Sequence, residues 1–95
     1  MQVRFAELAR QELTDARAWY EAQQSGLGVR FNQAIRQAVG QISRLPLLYP
    51  IERDDIHRYV LTQFPYTLRY IVRGELLVIL TVSHHHRAPD YWVQQ

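Results

Sequence analysis

The stretch LLVILTVSHHHR, residues 76–87, decides the fold predicted for this chain. Residues 76–80 form an apolar run that is short and rich in branched side chains, which predicts a buried central strand. Three histidines and an arginine follow where this strand would emerge from the sheet, and Tyr91 and Trp92 come soon after them. Because functional side chains are concentrated in loops held by a rigid scaffold, this C-terminal segment is the first candidate for a functional site.

Length, composition and charge limit the classes of protein to consider. The chain has 95 residues and no cysteine. This length predicts a single domain covering residues 1–95, and the lack of cysteine excludes disulfides and thiolate metal sites. All 11 basic residues are arginine, yet the formal net charge of +2 is too small to indicate a nucleic-acid partner by itself. No apolar run approaches the ~20 residues of a membrane span, so we expect a cytoplasmic protein with no membrane partner.

Two amphipathic helices are predicted before the central strand. Apolar residues from Ala9 to Tyr20 recur at helical spacing, and a second stripe of the same kind extends from Phe31 to Leu45. Pro46 ends the second helix. Because the two glycines between the helices leave only a short loop, the helices are expected to form an antiparallel hairpin.

Strands are predicted on both sides of this hairpin. The alternating segments are residues 2–5, 58–64 and 66–73, and a tight turn at residues 74–75 leads into the apolar run. The predicted order is β-α-α-β-β-β, an α+β fold in which the helical hairpin packs on a largely antiparallel four-stranded sheet.

Two further details of this layout concern the connection after the second helix and the register of the last hairpin. Residues 47–55, which contain a proline and an acidic cluster, are predicted to be an ordered connection between the second helix and the sheet. The register of the last hairpin stays undecided, because a slip of one residue exchanges the two faces of a strand.

Motifs spread along nearly the whole chain occur in a characteristic order. They are Trp19 and Tyr20 at the end of the first helix, Gly26-Leu27-Gly28 with Phe31, LPLLYP at residues 45–50, Arg58, Phe64-Pro65-Tyr66, Tyr70, and residues 84–87 with Pro89 and Trp92. In order and spacing the chain resembles the RelE/ParE superfamily of bacterial type II toxins, and within it the ParE-like branch.

The resemblance implies a RelE/ParE-like toxin that a cognate antitoxin neutralises, with no cofactor and no metal. ParE-like members poison DNA gyrase and serve plasmid stabilization, whereas RelE-like members cleave mRNA on the ribosome. Because the pattern is ParE-like and lysine is absent, we expect a non-enzymatic gyrase poison. The alternatives are a ribosome-dependent mRNA endoribonuclease and a degenerate toxin that only binds its antitoxin. A homodimer and a heterotetramer with the antitoxin are both compatible with the sequence.

The nuclease alternative needs an acid, a base and a cation near the scissile phosphate. Histidine titrates near neutrality, and arginine stabilises phosphate charge. The candidate catalytic residues are His84, His86, Arg87 and Tyr91, with Arg58 and Arg69 on neighbouring strands. The competing interpretation pairs Arg87 with a carboxylate such as Asp90. No third metal ligand accompanies His84 and His86 at a recognisable spacing, so no metal site is predicted.

A partially overlapping set of residues is predicted to bind the target or the antitoxin. Trp19 falls outside the apolar stripe of the first helix and is expected to be exposed, whereas Tyr20 is expected in the core. Trp92 is expected to fold back against the helices. The predicted binding residues are Trp19, Arg58, Arg69, Arg87 and Tyr91.

Overall fold

The structure is a computed structural model that describes residues 1–88 and 90–94. Pro89, one of the motif positions, lies outside the described residues. In chain order the elements are β1 (Gln2–Phe5), α1 (Glu7–Gln23), α2 (Leu27–Arg44), β2 (Ile51–Arg53), β3 (Ile56–Val60), β4 (Tyr66–Arg73), β5 (Leu76–His84) and a short 3-10 helix (Tyr91–Gln94). The predicted α+β class is confirmed.

The sheet has five strands rather than the four predicted. Their order is β1-β5-β4-β3-β2, so β5 lies between β1 and β4. β1 pairs with β5 in parallel, and the other pairs are antiparallel. The additional strand, β2, lies within the predicted connection. Three residues next to a proline and an acidic turn are too few for an alternation signal, and only pairing with β3 makes them a strand.

The backbone of α2 at Gly28 lies close to α1, and hydrogen bonds to Glu21 of α1 join the two helices there. Gly26 takes a left-handed conformation with φ of 89° and forms the N-cap of α2. The carboxylate of Glu21, on α1, accepts the backbone N–H groups of Gly26 and Gly28 at 3.0 Å each. These two hydrogen bonds lower the pKa of Glu21. The end of α1 therefore supplies the acceptors that the first turn of α2 needs.

The connection after α2 is ordered, as predicted, because two side chains of the sheet bind its carbonyl groups. The Tyr70 hydroxyl donates to the carbonyl of Pro46 at 2.6 Å. Nδ1 of His57 lies 2.7 Å from the carbonyl of Tyr49, and the imidazole stacks on the Tyr70 ring. Burial raises the pKa of Tyr70 to about 12, so its hydroxyl remains a donor.

The core lies between the helices and one face of the sheet. Leu68 pairs with Val82, and Arg69 pairs with Thr81, which settles the register of the last hairpin. The register shifts between Arg69 and Tyr70, whose partner is Ile79. Because of this bulge, Ile79 and Val82 are both buried in the core although they lie three residues apart. The face that points away from the helices is called the open face below.

Replacing Gly28 with alanine should lower the free energy of unfolding by about 1–3 kcal/mol. A Cβ at this position would lie 2.9 Å from the carbonyl oxygen of Arg17, a backbone atom of α1 that cannot yield without moving the helix. Gly40→Ala is the matched control, because a Cβ there meets nothing within 4 Å. That change should raise the stability by about 0.5–1 kcal/mol through helix propensity. Urea unfolding measures both, and a Gly28→Ala variant as stable as the wild type would contradict the close approach.

Candidate functional site

The open face of the sheet carries a row of polar side chains. Thr67 lies opposite Ser83, and Arg69 lies opposite Thr81 on one side and Arg58 on the other. Thr67, Thr81 and Ser83 are buried, with 6%, 0% and 4% of their surface exposed. Because buried hydroxyl groups need hydrogen-bond partners, their surroundings indicate how this face is organised.

The carboxylate of Glu12 occupies the edge of β5. β1 pairs with β5 only as far as Ile79, so the next part of that edge has no neighbouring strand. Glu12, on α1, accepts the backbone N–H of Val82 at 2.9 Å and the hydroxyl of Thr81 at 2.6 Å. The Tyr91 hydroxyl donates to its other oxygen. Burial raises the pKa of Glu12, although the bonds from Thr81 and Val82 and the charges of two arginines act in the opposite direction.

Three hydroxyl groups beside this carboxylate form a hydroxyl cluster. Oγ1 of Thr81 lies 2.9 Å from Oγ of Ser83 and 3.0 Å from the Tyr91 oxygen. The Tyr91 and Ser83 oxygens are 3.0 Å apart. Since the Thr81 hydroxyl donates to Glu12, the Ser83 hydroxyl donates to Oγ1 of Thr81. Nη1 of Arg69 donates to Ser83 at 3.0 Å. The hydrogen bonds thus run in one direction from a guanidinium to a carboxylate, an arrangement in which each bond strengthens the next.

Arg69 contacts Glu52 and Trp92 in addition to Ser83. Its Nε donates to Glu52 of β2 at 2.8 Å, in an ion pair whose side chains are 18% and 23% exposed. Its guanidinium also lies 5.4 Å from the ring centre of Trp92. Arg58, its register partner on β3, is exposed. The Glu52 carboxylate offsets the repulsion expected between two arginines in adjacent strands.

Of the three consecutive histidines at residues 84–86, His84 and His86 contact each other, whereas His85 contacts Thr67. Nδ1 of His84 accepts the backbone N–H of His86 at 3.0 Å, and the two rings are 4.8 Å apart. Burial and the neighbouring imidazoles lower the pKa of His84. Nε2 of His85 lies 3.1 Å from the hydroxyl of Thr67. Within residues 1–88 and 90–94, no three metal-ligating side chains come together in a way that could hold an ion.

A C-terminal cleft of about 270 Å³ brings together four of the six candidate catalytic residues, namely Arg69, His84, Arg87 and Tyr91. Thr67, Ser83, His85, Ala88, Asp90 and Trp92 also line it. His86 and Arg58 are not in this lining.

Two expectations about the C-terminal segment are wrong. Arg87 does not pair with Asp90 but lies over the ring of Tyr91, 4.1 Å from its centre, whereas Asp90 faces Arg53 at 3.5 Å. Trp92 does not pack against the helices but lies beside Arg69 in the cleft of the open face. The left-handed backbone of Asp90, with φ of 63°, directs the chain back across the sheet, which a local sequence pattern does not reveal.

Trp19 lies outside the lining of the C-terminal cleft. It is 58% exposed and lines a groove with Tyr20, Tyr66 and His84, beside the cleft. Its ring makes an edge contact with Tyr20, which is buried in the core. The predicted environments of Trp19 and Tyr20 are therefore those observed.

Sequence reasoning missed four residues of the site, Glu12, Glu52, Thr81 and Ser83. Thr81 and Ser83 carried a usable signal, because two hydroxyl side chains interrupt an otherwise apolar buried strand. Glu12 carried none, since its partners are about 70 residues away in the chain.

Comparison with known proteins identifies the family. A family model described as the ParE toxin of the type II toxin–antitoxin system parDE matches residues 3–89. The chain belongs to the ParE toxin family. It is therefore a type II toxin, and the family implies an antitoxin partner. Among curated proteins no match was found.

The ParE fold is also found in a solved structure. The chromosomal ParDE toxin–antitoxin system from P. aeruginosa contains a chain that matches with a TM-score of 0.63 and 18% sequence identity. The match covers 88% of the present chain and 95% of the other. At this identity the likeness establishes a shared fold. As a separate observation, none of the helices described here is long and apolar enough to cross a membrane.

Changes at Glu12 should separate its charge from its role as an acceptor. Glu12→Ala leaves the Val82 N–H and the Thr81 hydroxyl without their acceptor and should lower the free energy of unfolding by about 1–3 kcal/mol. Glu12→Gln is the matched control, because it keeps an acceptor oxygen and removes the charge. Urea unfolding at neutral pH compares the three proteins, and equal losses in both variants would contradict this assignment.

The same variants should differ in their dependence on pH. The pKa of Glu12 in the folded protein is raised above its ordinary value of 4.5. The folded state therefore holds the proton more tightly than the unfolded state does. The resulting stabilisation is complete below pH 4.5 and is lost as the pH rises through the pKa of the folded state. Relative to Glu12→Gln, the wild type should therefore lose stability as the pH rises from 4.5 toward neutrality. A relative stability that increases over this interval would show that the hydrogen bonds outweigh burial.

Proposed function

We propose that this ParE-family toxin acts in the cytoplasm by binding and poisoning DNA gyrase, and that a cognate antitoxin neutralises it. Membership in the ParE family supports this proposal, together with the sequence resemblance to the ParE-like branch. We further propose that the free toxin forms a homodimer or that toxin and antitoxin form a heterotetramer, which light scattering on the free and bound toxin distinguishes.

The state of the candidate catalytic groups favours binding over catalysis. The Tyr91 hydroxyl donates to Glu12, and Arg87 lies on the Tyr91 ring. Arg69 is paired with Glu52, and Nδ1 of His84 already accepts a backbone N–H. A general acid or base must reach the proton it transfers, and a cation must face the developing charge. Because these groups are engaged with one another, a non-enzymatic role is favoured.

Trp19 offers a contact of the kind that dominates protein interfaces. It is exposed, and a shallow groove extends from it along α1 and β5, lined by Glu12, Asp15, Ala16, Trp19, Tyr66, Val82, His84 and Arg87. Tryptophan, tyrosine and arginine are enriched among the residues that carry most of the binding energy at interfaces. The groove contains one of each, of which Trp19 and Arg87 are exposed and Tyr66 is buried. We propose that gyrase contacts this groove through Trp19.

Purified gyrase provides the test. Excess toxin should block supercoiling and cause cleaved DNA complexes to accumulate, and the cognate antitoxin should restore supercoiling. Trp19→Ala should raise the toxin concentration needed for half-inhibition by about tenfold. Val29→Ala, at another exposed apolar position on the helical hairpin, is the control and should leave it unchanged. Unaffected supercoiling with no cleaved complexes at excess toxin would eliminate the gyrase proposal.

A second candidate function is ribosome-dependent cleavage of mRNA. It is supported by the cleft that gathers Arg69, His84, Arg87 and Tyr91, since imidazole and guanidinium groups suit phosphodiester chemistry. His86 is exposed, and its ring lies 4.8 Å from that of His84, which lines the cleft.

Variants of the histidine–arginine turn decide between the two functions. If the chain is a nuclease, Arg87→Ala should reduce ribosome-dependent mRNA cleavage by about 100-fold or more, because the developing phosphate charge loses its cation. His86→Ala should also reduce it, whereas Arg36→Ala, on the exposed side of α2, should not. Cleavage fragments mapped by primer extension provide the measurement, and cleavage that survives both turn variants would remove this cluster from the mechanism.

A further inference from the structure

Residues 90–93, called the C-terminal strap below, contact three different arginines in succession. Asp90 faces Arg53 at 3.5 Å, and the ring of Tyr91 lies under Arg87 at 4.1 Å. The ring of Trp92 lies 5.4 Å from the guanidinium of Arg69. These arginines come from β2, the turn after β5, and β4. The strap therefore crosses the open face and contacts the guanidinium groups of separate elements at once.

The Tyr91 hydroxyl makes the strongest contacts of the strap. It donates to the carboxylate of Glu12 and lies 3.0 Å from the oxygens of Thr81 and Ser83. Hydrogen bonds to an ionised group are about twice as strong as neutral ones. In contrast, the ion pair between Asp90 and Arg53 is about half-exposed at both ends, and such pairs contribute little. Closure of the strap thus depends chiefly on one hydroxyl group.

Closure also has identifiable costs. Nε1 of Trp92 is buried and finds no hydrogen-bond partner among residues 1–88 and 90–94. Asp90 has a left-handed backbone with φ of 63°, which costs less for aspartate than for most residues other than glycine but is still not the favoured conformation. Val93 is exposed, and Tyr91 and Trp92 are only partly buried, so no apolar side chain of the strap belongs to the core. Segments with few buried apolar contacts open locally at low free energy, without unfolding of the core.

We propose that the C-terminal strap is an autoinhibitory contact. In its closed position the strap occupies the guanidinium groups of Arg53, Arg69 and Arg87. It opens when the Tyr91 hydroxyl is released from Glu12. Opening presents these arginines beside the exposed Arg58 as one anion-binding surface. Arg69 keeps its ion pair with Glu52, so opening frees the flat side of its guanidinium. The strap belongs to the free toxin and is independent of which target the toxin binds.

Fluorescence of Trp92 reports strap opening directly. The chain has two tryptophans, so Trp19→Phe leaves Trp92 as the only one. In this background the neutral quencher acrylamide should reach Trp92 poorly. Tyr91→Phe keeps the ring on Arg87 and removes the hydroxyl, and should raise the open fraction by about tenfold. Iodide quenching should increase more than acrylamide quenching, because iodide is an anion and the exposed guanidinium groups attract it.

Chemical modification provides a second readout. Phenylglyoxal, which reacts with accessible guanidinium groups, should label Arg53 and Arg87 faster in Tyr91→Phe than in the parent. The exposed Arg36 of α2 should react at the same rate in both. Tyr59→Phe is the matched control, because it removes a phenolic hydroxyl from the side of the sheet that packs on the helices and should change neither readout.

Three outcomes would contradict the proposal that the strap opens as a separate unit. The first is Trp92 quenched in the parent as readily as free N-acetyltryptophanamide. The second is a folded Tyr91→Phe variant with unchanged quenching and labelling. The third is loss of the cooperative thermal transition in Tyr91→Phe, which would place the segment in the core rather than in a separate opening unit. None of these measurements involves gyrase or antitoxin, so they are independent of the proposed function.

Discussion

The carboxylate of Glu12 at the edge of β5 is the interaction on which the rest of the site depends. β1 is too short to pair with β5 beyond Ile79, so the edge of β5 would otherwise present an unpaired N–H at Val82. A side chain from α1 takes the place of the missing strand. An unpaired buried donor is costly, and Glu12 removes that cost while it joins the helical hairpin to the sheet.

The position of Glu12 explains why hydroxyl groups can be buried on the open face of the sheet. Glu12 accepts from Thr81 and Tyr91, and the hydroxyl cluster accepts in turn from Arg69, so hydroxyl groups can be buried on that face without loss of hydrogen bonds. The same network engages the groups that could serve in catalysis. A site of this kind has few free acids or bases, which is consistent with the proposed action by binding. It also makes the position of the C-terminal segment depend on Tyr91.

Much of the fold could be predicted because its signals are local. The helical stripes and the apolar run give the two helices and the central strand, and the glycines between the helices give the hairpin. β2 could not be predicted, since its three residues become a strand only by pairing with β3. The register of the last hairpin depends on a bulge opposite Arg69 and Tyr70, which no alternation pattern encodes. Of the site, the histidine–arginine turn and Tyr91 were identifiable by residue type, but the partners of Arg87 and Asp90 were not.

By itself, the sequence determined the α+β class, the ParE-family resemblance, a buried interior strand at residues 76–80, and the exposed Trp19 beside the buried Tyr20. These follow from periodicity, turn residues and motif order, which act over short distances along the chain. Only the tertiary structure decided that Glu12 completes the edge of β5 and that Asp90, Tyr91 and Trp92 each contact a different arginine. The physical reason is that hydrogen bonds and ion pairs join groups far apart in the chain. Which groups meet depends on how the helices and the strands pack.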